Sequence, residues 1–284
     1  MKFVHILTEL WCKPCLILPQ MHAQICEIVQ AHIDGSAHAP AGLIEAFELG
    51  RPEEEQDEGF SAGDEIAVIP IHGVIGKHVG AMAKSSGALD LEDVAVDVDA
   101  ALADPGVRGI FYDINSPGGG TTGVPEVGKM IADASKEKPS VAYTDNLMAS
   151  AAYWLGAGAG AIYASKSASI GSIGVYMAWL DSSRAYEMEG LRTELIKRGK
   201  FKAAGIDGVS LTDEQRDHLE GVVEKVYGWF IDAVKGSRPG VPMDAMEGQT
   251  FFADDALDVK LIDAVGSRDD AVAELLDMIR LGIK

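Results

Sequence analysis

Between Glu65 and Leu281, short apolar runs alternate with stretches whose apolar residues recur every three or four positions. The runs are Ile66-Ala67-Val68-Ile69-Pro70-Ile71, Gly109 to Asn115, Val141 to Thr144 and Ala161 to Ala164. They are short and rich in β-branched residues, which predicts strands. Leu91 to Ala103, Val124 to Ala134 and Ser150 to Ala159 are predicted helices between them. Strands separated by helices imply parallel crossovers, so the core is expected to be α/β.

Further along, the pattern predicts a helix near Ser182 to Glu189, a strand near Thr193 to Lys197, and a long helix from Thr212 to about Lys235. Thr212 followed by Gln215 has the spacing of a capping box, and Gly236, Pro239 and Gly240 stop the helix. Smaller elements are expected around Asp254 to Leu261 and Arg268 to Leu281. On the N-terminal side, Ile17, Met21, Ile25, Ile28, Val29 and Ile33 stand near helical spacing, with Gly35 as a stop. Residues 45–64 carry Glu53-Glu54-Glu55, Asp57 and Glu58 among Pro52, Gly50, Gly59 and Gly63, the composition of a solvated acidic linker. Three parts are therefore expected: an extension with an amphipathic helix over 1–44, the linker over 45–64, and an α/β domain over 65–284.

A length of 284 residues, 47% of them hydrophobic, suffices for one sizeable core with a small addition. The formal net charge of −20 opposes binding to phosphate backbones, so no nucleic-acid partner is expected. Glu9, Lys13, Pro14 and Pro19 break the apolar stretch near the start, and no run reaches membrane-spanning length. A soluble, cytoplasmic chain without a membrane anchor is the expectation. The spacing of Cys12, Cys15, His22 and Cys26 would suit a tetrahedral zinc site. Incidental thiols beside an apolar helix are the simpler reading, and neither metal nor cofactor is expected.

Asn115-Ser116-Pro117-Gly118-Gly119-Gly120 follows one predicted strand and precedes a helix. Consecutive glycines let backbone amides approach a ligand without Cβ obstruction, as in a phosphate cradle or an oxyanion hole, although a plain tight turn needs them as well. Ser150, in Met148-Ala149-Ser150-Ala151-Ala152, lies where a strand passes into a helix of small residues. Unpaired amides there would favour an alkoxide, while the alternative role for this serine is an ordinary helix cap. A nucleophilic serine needs a base. Among the seven histidines, only His218 follows Ser150, on the wet face of the long helix, with His72 and His78 the remaining alternatives. Lys197 ends the predicted 193–197 strand, and Lys200 and Lys202 lie in the loop beyond it. A lysine base must lose roughly two or three pKa units, about 3–4 kcal/mol, which requires a dry site.

Taken together, Ile66 to Ile75, the Asn-Ser-Pro-Gly-Gly-Gly loop, Met-Ala-Ser-Ala-Ala, Ser169-Ile170-Gly171-Ser172-Ile173-Gly174-Val175 and the lysine segment after Gly199 resemble the signal peptide peptidase A family of Ser/Lys serine peptidases. The resemblance spans about residues 65 to 275. It implies the crotonase- and caseinolytic-peptidase-like β-β-α superhelix. It further implies Ser150 as nucleophile and Lys202, 52 residues later, as general base, with Ser172 orienting the lysine. Gly118, Gly119 and the amide of Ala151 would then form the oxyanion hole. Family members assemble as rings whose sites are completed between protomers, so a homo-oligomer is expected. The N-terminal layout is similar to the branch of bacteriophage head maturation proteases, which implies scaffold or coat proteins as substrates and a location in the bacterial host or the procapsid. A soluble cellular peptidase degrading signal-peptide remnants is the alternative within the family. An inactive structural or scaffold-binding capsid component is the alternative outside catalysis.

Overall fold

The computed structural model describes residues 13–33, 65–84 and 87–283. Most of the extension and all of the linker expected at 45–64 lie outside the described residues. The elements, in order, are strand β1 (Cys15–Ile17), helix α1 (Pro19–Ile33), β2 (Ile66–His72), β3 (Val74–Gly76), β4 (Ala88–Asp90), α2 (Leu91–Ala103), β5 (Gly109–Asn115), β6 (Gly118–Gly120) and α3 (Val124–Glu137). There follow β7 (Ser140–Thr144), β8 (Leu147–Ala149), α4 (Ala151–Gly156), β9 (Ala161–Ala164), β10 (Ser169–Gly171) and α5 (Ser183–Met188). The chain closes with α6 (Asp213–Ser237), β11 (Thr250–Phe252), α7 (Ala253–Asp258), β12 (Ala264–Val265) and α8 (Arg268–Leu281).

The same unit recurs. A longer strand joins a central sheet, a short strand turns off it, and a helix leads back: β5-β6-α3 and β7-β8-α4 are the clearest copies, with β2-β3-β4-α2 before them and β9-β10 after. The central sheet has the order β12-β9-β7-β5-β2 and its pairs are parallel. The short strands form two further sheets, β1-β6-β3-β4 and β11-β10-β8. This is the α/β architecture of a β-β-α superhelix.

Side-chain alternation explains why the longer strands sit in the middle. Along β5, Ile110, Tyr112 and Ile114 point into the main core, while Phe111 points to the other face, where Val141, Tyr143, Leu275 and Ile279 cover it from β7 and α8. With both faces buried, β5 and β7 read as continuous apolar runs. β2 is an edge strand: Ala67, Ile69 and Ile71 are buried, Val68 is exposed, and Pro70 is tolerated there because no ladder needs its missing N–H on the open side.

Helix α4 ends at Gly156, short of the expected Ala159, because the chain turns tightly through Gly158 and Gly160. Its small residues bring it close to its neighbours, Gly156 against Met148 and Ile114, and Gly158 against the α3 backbone. Trp154 stacks on Phe230 of α6 with ring centroids 4.6 Å apart, and the buried Tyr153 hydroxyl donates to the Leu261 carbonyl at 2.8 Å. The capping box of α6 forms as expected, between Thr212 and Gln215. The expected strand over Thr193 to Lys197 does not form. These residues lie outside all three sheets, and an extended run without a partner strand has no ladder to join.

Asp90 ties the β3–β4 connection to α2. Its buried carboxylate caps the helix at the Glu92 amide (3.1 Å) and accepts from the amides of His78 (3.2 Å) and Val79 (2.8 Å). Burial opposes ionisation, but these hydrogen bonds and nearby Lys84 outweigh it and hold the carboxyl below its ordinary range. Asp90→Asn is therefore expected to lower stability at neutral pH by about 1–2 kcal/mol. Because the folded-state pKa is depressed, that advantage of the aspartate is lost as pH falls from about 4 through the folded value. Melting curves of both proteins from pH 7 to pH 3 check this: the gap between them should close on acidification.

Candidate active site

The parallel register of β8 with β10 places Leu147 opposite Ser169, Met148 opposite Ile170 and Ala149 opposite Gly171. The next residue on each strand is a serine, Ser150 and Ser172, so the two emerge side by side. The Ser150 amide donates to the Gly171 carbonyl at 2.8 Å, and the Ser172 amide to the Gln249 carbonyl at 2.7 Å. Both serines are buried, and both hold positive φ, 55° and 52° respectively. Such a backbone costs on the order of 1–3 kcal/mol for a residue with a Cβ and persists where surrounding bonds over-determine it.

Ser150 stands at the cap position of α4, yet its side chain makes no capping hydrogen bond. The helix-cap role is thereby removed as the reason for a serine here, and the hydroxyl is left for other work. With one and a half turns, α4 has little macrodipole. Its contribution is local: the Ala151 amide, at the first helical position, has no hydrogen-bond acceptor among the described residues.

The glycine loop meets this turn directly. Gly118 has φ 95°, and a Cβ placed on it would press into the Leu16 carbonyl and stand 3.0 Å from both the Ala151 nitrogen and Ser150 Cβ. Gly119 must be glycine for a different reason, since a Cβ there would collide with the Ile75 carbonyl of β3. Ser116, fully buried, accepts from the Gly118 amide at 3.2 Å and, through its backbone, receives the Ala149 amide at 3.1 Å. Thus Ser150, Ser172, Gly118, Gly119 and Ala151 are gathered at one place. Ser116 and Gln249 support them. Ser116 lies within the glycine motif, whereas Gln249 contributes only its carbonyl, which leaves no residue-type signal in the sequence.

Lys202 is placed differently. It lies in an exposed turn, its amide donating to Gly199 at 3.3 Å, and no described contact joins it to Ser150 or Ser172. Its neighbours are engaged: Lys197 Nζ donates to the Lys200 carbonyl at 3.1 Å, and Lys200 pairs with Glu214 at 2.7 Å. The Lys202 ammonium has no partner among the described residues. The alternative bases are accounted for elsewhere. His72 lies 3.9 Å from Asp113, His78 pairs with Glu92 at 3.1 Å, and exposed His218 packs on Phe201 with centroids 4.7 Å apart.

Of the cysteine and histidine residues singled out near the N-terminus, Cys12 lies outside the described residues. His22 is buried, and its Nδ1 is 2.7 Å from the Tyr176 hydroxyl. Among the described residues no group of three or more His, Cys, Asp or Glu side chains is arranged to hold a metal ion, and no helix is long and apolar enough to cross a membrane.

The sequence pattern of peptidase family S49 matches residues 132–281, more than half of the chain and a span that includes Ser150, Ser172 and Lys202. The chain belongs to this family. It is similar to capsid assembly protease C of Escherichia phage lambda, 27% identical over 79% of this chain and 52% of that protein. It is similar also to the head-tail preconnector protein GP5 of Enterobacteria phage P21, 24% identical over 95% of this chain and 54% of that one. The chain spans about half the length of the curated relatives it matches. Among solved structures it aligns with ClpP1 of Listeria monocytogenes at 12% identity and a TM-score of 0.45, over 72% of this chain and 94% of that one.

The packing at Gly119 predicts a clear structural penalty. Gly119→Ala should destabilise the folded chain by roughly 1–3 kcal/mol, the range for overpacking a filled site. Urea denaturation followed by circular dichroism checks it.

Proposed function

We propose that this S49 chain is a serine endopeptidase using a Ser150/Lys202 dyad, and that it processes scaffold or coat proteins during phage capsid maturation. The observation that carries the reading is Ser150 itself. It is buried, strained and free of capping duty, and it sits beside Ser172 and the glycine loop. In this reading the Ser150 Oγ attacks the scissile carbonyl while its proton passes to neutral Lys202 Nζ. The amides of Ala151 and the Gly118–Gly119 loop receive the developing oxyanion. Collapse of the tetrahedral intermediate breaks the C–N bond, with the proton delivered to the leaving amine, and water then releases the acyl group from Ser150 by the reverse proton path. Ser172 orients Lys202.

The lysine's position gives the reason for assembly. A lysine base must be desolvated, and in the single chain Lys202 faces water. The same lobe leaves Leu180, Met188, Leu191, Ile196 and Phe201 exposed, Ile196 at 99%, an unusual number of large apolar groups for a free surface. Packing this lobe on a second copy would cover those side chains, dry Lys202 and bring it to a neighbour's Ser150. The phage role draws support from the capsid protease and preconnector relatives, which align over most of this chain.

Peptidase assays on point variants test the dyad. Ser150→Ala and Lys202→Ala should each lower kcat by about 10³-fold or more, with wild-type circular dichroism in both. Full activity in either variant overturns the dyad. Mixing the two inactive proteins before assembly should restore roughly a quarter of wild-type activity, the statistical share of sites with both intact groups when neighbours complete each other. No recovery on mixing would place the lysine within its own chain.

A further inference from the structure

Strand β1 belongs to none of the repeated units, yet it occupies the centre of the site. It runs antiparallel to β6, with Cys15 opposite Gly120, Leu16 opposite Gly119 and Ile17 opposite Gly118, and the Leu18 amide donates to the Pro117 carbonyl at 3.0 Å. On its other edge Cys15 exchanges both backbone bonds with Tyr176, donating at 2.8 Å and accepting at 3.3 Å. The two rails that hold it thus lead out of the site itself, one from Gly118 and the other from Ser172 four residues before Tyr176.

The floor between these rails is the nucleophile turn. The Leu16 carbonyl, Ser150 Cβ and the Ala151 amide nitrogen all crowd the same point above Gly118. Leu16 is fully buried in the main core cluster, so its side chain fills a formed apolar pocket. An extended peptide presented to Ser150 needs what β1 already has: backbone pairing on a sheet edge, a side-chain pocket, and a carbonyl brought to the nucleophile turn. We propose that residues 15–18 form a built-in inhibitory strand that lies in the substrate's place, and that a substrate peptide enters by displacing it.

The strand carries its own latch. Helix α1 follows it directly and delivers His22 to the Tyr176 hydroxyl, on the residue that pairs with Cys15. Burial, with Cys15 and Cys26 nearby, pushes the Tyr176 hydroxyl's pKa up, so that it stays protonated and can donate to His22 Nδ1. In sequence, β1 and α1 are separated from β2 by residues 34–64.

This inference rests on Ser150 being the nucleophile and adds what controls access to it. The test uses the full chain and an extended, leucine-containing peptide. Leu16→Ala empties the pocket and weakens the strand's hold without touching either rail. It should lower KM by about ten-fold with kcat unchanged, as the fraction of open groove rises. An unchanged or higher KM in a variant with wild-type circular dichroism overturns the proposal. Should that variant fold poorly, hydrogen exchange on the unsubstituted chain decides. A saturating leucine-containing peptide aldehyde should speed exchange at the Cys15 and Leu18 amides, and full protection of both while the aldehyde occupies Ser150 overturns the proposal. Equal cleavage by Ser150→Ala would be a different failure, removing the nucleophile on which the inference stands.

Discussion

The pairing of β8 with β10 is the constraint on which the site depends. A parallel ladder in this register brings the ends of two strands, distant in sequence, to the same level, and each strand is followed by a serine with positive φ. Neither turn would hold alone. Ser150 is pinned by the Gly171 carbonyl and by the following helix, Ser172 by the Gln249 carbonyl from the β11 side. The helix behind Ser150 is fixed in turn by the Trp154–Phe230 stack and the Tyr153 hydroxyl. Strain at the reactive turn is thus distributed into well-packed core.

Close approach of backbones is the second element. Gly118 and Gly119 are squeezed between β1, β3 and the Ser150 turn, and a Cβ at either would collide with a carbonyl. The absence of side chains there lets amides line a groove whose other wall starts at Ser172. A groove with two open edges is a place where an extended peptide pairs well, and the chain's own residues 15–18 pair there with β6 and Tyr176. An extension read as a separate module is in this way joined to the site, since Leu16 packs in the same cluster as Ile75 and Ala151.

Lys202, the base of the proposed dyad, stands in water, on a lobe with exposed apolar groups and a hydrogen-bond network of its own around Asp207. Burial of that lobe and creation of a competent base would be one event, so catalytic power would follow assembly.

Much of this was legible from residue order. The central strands were evident because burial on both faces makes them uninterrupted apolar runs, and the α6 cap because Thr212 and Gln215 act locally. Ser150, Ser172 and the glycine loop were recognisable as ordered motifs, although residue types alone left Ser150 open to the role of a helix cap. The short strands β3, β6, β8 and β10 were not foreseen, because three residues carry too little periodicity to register, and the strand expected at 193–197 failed for want of a partner. That Ser150 leaves its cap unused, that it stands beside Ser172, and that Leu16 packs against the Gly118 turn were decided only by tertiary structure. Each depends on the register of pairing between segments far apart in the chain, and register is a property of the packed sheet rather than of any local stretch.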